Sequence, residues 1–140
     1  MAHLSEKTYR DIFFVGALWN LMVGLGNLTF FKTSMRIMFG KNAVTNAITS
    51  TLPLRFFYIA VALFGWGYYM VSRNLKENRG IIWMGMAAKV IIFGTFVWYY
   101  RLRQVKILAV LAGSVDFVFT ILFAIFMWDT RRKEVRAIAG

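Results

Sequence analysis

The chain contains no cysteine, one histidine, one proline and six acidic residues in 140. Without cysteine there are no disulfides, thiol relays or thiolate metal sites. The single histidine, His3, lies at the N-terminus, so a haem held by histidine within an apolar interior has no candidate ligand. No His, Asp and Glu stand at metal-ligand spacing either. Charge is scarce overall, at 16% of residues against 59% apolar. A soluble surface needs about a quarter or more charged residues, so this composition excludes an ordinary soluble domain.

What the chain has instead is apolar residues in four blocks. They read as spans at about Ile12 to Phe31 ("IFFVGALWNLMVGLGNLTFF"), Leu54 to Ser72, Gly80 to Tyr100, and Ile107 to Trp128. Each is near the roughly 20 residues that carry a helix across about 30 Å of hydrocarbon. Lipid offers no partner to an open strand edge, and the blocks lack the alternation of barrel strands. The expectation is an all-α polytopic membrane protein. It is a single domain over residues 1–140, folded as a compact antiparallel four-helix bundle. The start "MAHLSEKTYRD" carries both charge signs and no cleavage pattern, so block one reads as a retained span rather than a signal peptide.

An even number of spans places both termini on one side. That side holds Lys7, Arg10, Arg73, Lys76, Arg79, Arg131, Arg132, Lys133 and Arg136, nine in all. The other holds Lys32, Arg36, Lys41, Arg55, Arg101, Arg103 and Lys106, seven in all, and no acidic residue. The balance favours both termini inside. Trp83, Trp128, Tyr68 and Tyr69 read as an aromatic belt towards the terminal side, and Trp98, Tyr99 and Tyr100 as its opposite number. The net charge of +11 is split between two membrane faces, which argues against nucleic acid. Membrane lipids are the expected contacts, with a second copy or a partner membrane subunit as candidates.

The connection over about residues 33–53 is too long for a turn and too polar to span. It reads as an interfacial loop or short helix. Met35, Ile37, Met38 and Phe39 would lie on the membrane with Lys32, Arg36 and Lys41 at the headgroups. Val44, Ala47 and Ile48 extend the apolar face, and Pro53 suits the entry to the second span.

Two charges fall inside spans. Lys89 lies roughly 13 Å from the terminal-side end of the third span, and Asp116 roughly 18 Å from that end of the fourth. A lysine side chain reaches across the difference. An unpaired charge at that depth costs several kcal/mol or loses its proton, so the two are expected to pair. Asn20 and Asn27 share a face of the first span with Gly16 and Gly24. Thr120 and Gly113 flank Asp116, and Tyr58 stands on a related face of the second span. Lys89, Asp116, Asn20, Asn27, Tyr58 and Thr120 are the candidate binding residues.

At this point the chain resembles the small four-helix bacterial membrane proteins related to DoxX. The resemblance rests on size, a first span of the type "GALWNLMVGLGNLTF" and a last span with the small, polar patch "AGSVDF". It implies an accessory or redox-linked component of a bacterial inner membrane, its termini then cytoplasmic, and transfers no catalytic residue. Three functions stay open from the residues. One is an accessory or binding protein, its polar site holding a lipid-like or anionic ligand or a partner subunit. Another is a proton-coupled transporter or ion pathway using Asp116 and Lys89, as an oligomer. The third is an intramembrane enzyme acting on a lipid or quinone. A purely structural pair that sets helix register competes with all three. No cofactor is indicated.

Overall fold

The computed structural model describes residues 4–40 and 48–139, and all regular structure in them is helical. Five helices follow in order: α1 (Glu6–Thr29), α2 (Phe31–Phe39), α3 (Ile48–Arg73), α4 (Arg79–Arg101) and α5 (Ile107–Ala139). α1, α3, α4 and α5 each hold a segment long and apolar enough to cross a membrane. Only 22–28% of the residues in those segments are buried within the protein. Leu18, Met22, Phe56, Leu63, Met84, Ile91, Val118 and Ile121 all lie exposed on helix surfaces. Such a surface requires hydrocarbon around it. The fold is therefore a four-helix membrane bundle with one short extra helix.

The helices begin and end where backbone chemistry permits rather than where hydropathy changes. Ser5 caps α1 by accepting from the Thr8 N–H at 3.0 Å, so α1 starts at Glu6, ahead of the expected Ile12. α3 begins at Ile48, and Pro53 sits inside it instead of at its entry. That close to the helix start, the missing N–H removes one hydrogen bond without breaking the helix. α5 runs 33 residues, about 50 Å, and so projects beyond a bilayer core of about 30 Å.

α1 does not run on through Phe31 as one span. Asn27 Nδ2 donates to the Val23 carbonyl at 2.7 Å and Thr29 Oγ1 to that of Leu25 at 2.8 Å. Such back-bonds bend helices. Phe30 then leaves helical geometry and α2 departs. α2 places Phe31 and Met35 inwards against Tyr58, Leu54 and Phe57 of α3, and leaves Lys32, Arg36 and Ile37 exposed. Its far end is tied to the α4–α5 turn, where Lys106 N–H donates to the Met38 carbonyl at 3.0 Å. α2 thus covers the bundle end remote from the termini. Lys41, Val44 and Ala47, expected in the same interfacial segment, lie outside the described residues.

The remaining connections are short. Asn74 Oδ1 accepts from the Lys76 N–H at 3.2 Å in the α3–α4 turn. α4 ends with Gln104 N–H on the Tyr99 carbonyl and Arg103 N–H on that of Tyr100, with Arg103 at φ 57°. This is the Schellman arrangement with arginine where glycine is usual. Around the bundle the order is α1, α3, α4, α5, with the closest backbone approaches between α1 and α3 and between α4 and α5. The main core sits at the terminal-side half, built from Tyr9, Phe13, Tyr68, Val71, Ile82, Phe123 and Phe126.

Candidate functional site: a buried ion pair on an apolar cavity

Lys89 lies ten residues into α4, about 15 Å along it. Its ammonium forms a salt bridge with Asp116 Oδ1 and donates to Asn20 Oδ1 at 3.0 Å. Two rings flank the charge, with the centroid of Tyr68 5.5 Å and that of Phe119 6.0 Å from Nζ. The lysine side chain is 5% exposed and the aspartate 23%. The pair is thus held by three helices at mid-bilayer, Asn20 from α1, Lys89 from α4 and Asp116 from α5. Asn20 is oriented in turn by a long contact of its Nδ2 to the Val61 carbonyl, 3.5 Å.

The less buried aspartate faces a cavity of about 210 Å³. Apart from the pair and Asn20, its wall is mostly carbon: Trp19, Val23, Phe57, Phe64, Ala88, Ile92, Phe96 and Ala112 among others. Met38 of α2 closes the far end, and Tyr58, also in the wall, donates its hydroxyl to Met38 Sδ at 3.6 Å.

The α3–α4 seam beside the cavity is unevenly packed. Near the α3–α4 turn the two helices touch. A Cβ on Gly67 would stand 2.9 Å from Ile81, and the Tyr68 hydroxyl fills the space where Gly85 has none. One heptad before Gly67, on the same face of α3, Ala60 is exposed rather than packed. Opposite it, Ala88 and Ile92 are only half-buried. Among the lining residues Ala60 alone is exposed.

The candidate residues divide. Lys89, Asp116, Asn20 and Tyr58 come together on this cavity. Asn27 does not line it, because its amide is turned back onto its own helix. Thr120 is buried, but its hydroxyl donates to the Asp116 backbone carbonyl at 3.0 Å, supporting the helix under the carboxylate without facing the cavity. Tyr68, read from the sequence as an interfacial belt residue, is a cavity residue at 1% exposure. Its neighbour Tyr69 is the exposed one. Adjacent helical residues point about 100° apart, so the pair "YY" splits between interior and surface. Heptad spacing from Val61 was the available signal for Tyr68.

A second cleft, of about 610 Å³, lies at the terminal-side end between α1, the α3–α4 turn and α5. There Tyr9 donates its hydroxyl to Asp129, and Arg10 pairs with Glu6 at 2.9 Å. Among the described residues no three His, Asp or Glu converge as a metal site.

The molecule is therefore a polytopic helical membrane protein with a buried lysine–aspartate pair on an apolar cavity. No protein-family model, curated protein or solved structure matches the chain.

Proposed function

We propose that this bundle is a binding protein for a lipid-like molecule. The guest enters from the hydrocarbon between α3 and α4, and its polar end rests on Lys89 and Asp116. The observation that carries this reading is a buried salt bridge, deep in two spans, on an apolar cavity whose one exposed lining residue, Ala60, lies on α3. Ionisable groups at this depth are costly and are retained where they serve a site. A guest in the opening would cover the partly exposed Phe57, Phe64 and Phe96.

The alternatives have less support. An ammonium held by a carboxylate has no free electron pair, so Lys89 is no nucleophile in this state. A proton or ion path needs polar steps on both sides of the pair, whereas Met38, Phe57 and Phe96 wall the cavity towards α2. The sign of the basic bias, nine residues against seven, supports cytoplasmic termini. The resemblance to the DoxX-related membrane proteins implies an accessory component, which agrees with such a role.

Native mass spectrometry of protein extracted from its own membrane tests the reading. A bound small lipid should survive release from detergent and disappear in Ala112→Phe, which fills the cavity, while that variant still melts cooperatively. Equal adducts on both proteins would contradict it.

A further inference from the structure

Resting on that reading, the cavity also contains information on the guest's head. Tyr68 is 1% exposed, lines the cavity, and its hydroxyl makes no hydrogen bond among the described residues. The hydroxyl is open to the cavity rather than sealed in protein, and in so apolar a wall it favours a guest that supplies an acceptor. Gly85 is what admits it: a Cβ there would collide with the hydroxyl. Asp116, less buried at 23% exposure, also keeps an unused oxygen. Its Oδ1 takes the lysine, while Oδ2 accepts nothing from the described residues. Lys89 has three N–H donors and uses two, on Asp116 and Asn20. Two donors and one acceptor therefore face one small volume without protein partners.

Charge narrows the guest further. Lys89 and Asp116 balance, and no other charged side chain lines the cavity. A carboxylate or phosphate head would leave a net negative site in hydrocarbon, and an amine a net positive one. A neutral head keeps the balance. A hydroxyl group is the simplest neutral head that accepts from Tyr68 or Lys89 and donates to Asp116 Oδ2 in the same pose. Size agrees. A cavity of about 150 Å³ takes one benzene. This one, at about 210 Å³, takes a head and a few carbons, so the rest of the guest must lie in the α3–α4 opening.

We propose that the site selects neutral, hydroxyl-headed lipids of the long-chain alcohol class, and that Tyr68 is a specificity-determining residue whose hydroxyl binds the guest's oxygen. The positively charged bundle end around Arg36, Arg55 and Arg103 plays no part in this choice, since Met38 and α2 stand between it and the cavity.

The test uses the full chain in nanodiscs of zwitterionic lipid and three photoprobes sharing one diazirine-bearing alkyl chain. The heads are a primary alcohol, its methyl ether and a carboxylate. The alcohol should label α3 and α4 residues of the cavity, competed by unlabelled alkanol. The ether, which accepts but cannot donate, should label about tenfold less at equal concentration, and the carboxylate no more than the ether. Tyr68→Phe, which removes one oxygen and no carbon, should lower alcohol labelling about tenfold and lower the weaker ether labelling as well, since the ether oxygen also accepts from Tyr68. Equal labelling by alcohol and ether, preferred labelling by carboxylate, or an unaltered Tyr68→Phe each overturns this inference while the binding reading stands. Cavity labelling by none of the three overturns both.

Discussion

The two sides of α3 are built on opposite plans. Towards α1, small residues meet backbone. A Cβ on Gly24 would stand 2.7 Å from the Ala62 nitrogen, and one on Gly65 2.9 Å from that of Leu21. Towards α4, glycine meets aromatic or branched side chains: Gly85 takes Tyr68, and Gly67 takes Ile81. The first plan closes the seam along its length, as small residues do between membrane helices. The second uses a side chain as a strut. Beyond the strut, small residues such as Ala60 and Ala88 line the cavity instead of packing against a partner. Glycine content alone therefore does not foretell close packing. The partner residue across the seam decides it.

The largest effect that would break this comparison comes from the charge at the open side. Lys89→Met should destabilise the bundle by about 3–5 kcal/mol in equilibrium unfolding from mixed micelles, because Asp116 is left unpaired in the interior. Lys89→Met with Asp116→Leu should recover most of that loss, since an ion pair replaced by apolar groups is often neutral. A double variant no better than the single would mean that the pair itself, rather than its balance, holds the helices.

Next comes the closed seam. Gly24→Ala should cost about 1–3 kcal/mol by forcing α1 from the α3 backbone. Gly26→Ala, two residues on in the same helix, has nothing within 4 Å to meet and should be neutral or stabilising by up to about 1 kcal/mol. Equal effects would show that α1 and α3 are not in the close contact described. The smallest expected effect is at the opening. Ala60→Leu faces no packed neighbour and should change stability by less than about 0.5 kcal/mol, while lowering guest binding.

Much of the architecture was legible because lipid imposes a coarse rule. Twenty apolar residues between polar turns read as a span whatever their order, so the four long helices follow from block length. The Lys89–Asp116 pair was legible for a similar reason. Each is the only charge of its sign in a span interior, and burial leaves a lone charge few alternatives. Finer features depend on which way a side chain turns, and composition does not contain that. Asn27 and Thr120 sit at suitable positions but spend their donors on carbonyls four residues back in their own helices. Tyr68 and Tyr69 are identical neighbours with opposite fates. Helix ends were misplaced because hydropathy marks the membrane boundary, whereas Ser5 and the projecting end of α5 obey hydrogen bonding in water.

The central claim is that the α3–α4 opening leads a lipid-like molecule to Lys89 and Asp116. A high-resolution structure of the full chain in native lipid tests it most directly. The account predicts elongated non-protein density that enters between Ala60 and Ala88 and ends within hydrogen-bond distance of Asp116 and Tyr68. A closed α3–α4 seam, with Tyr68 bonded to protein and the ion pair packed dry, would contradict it.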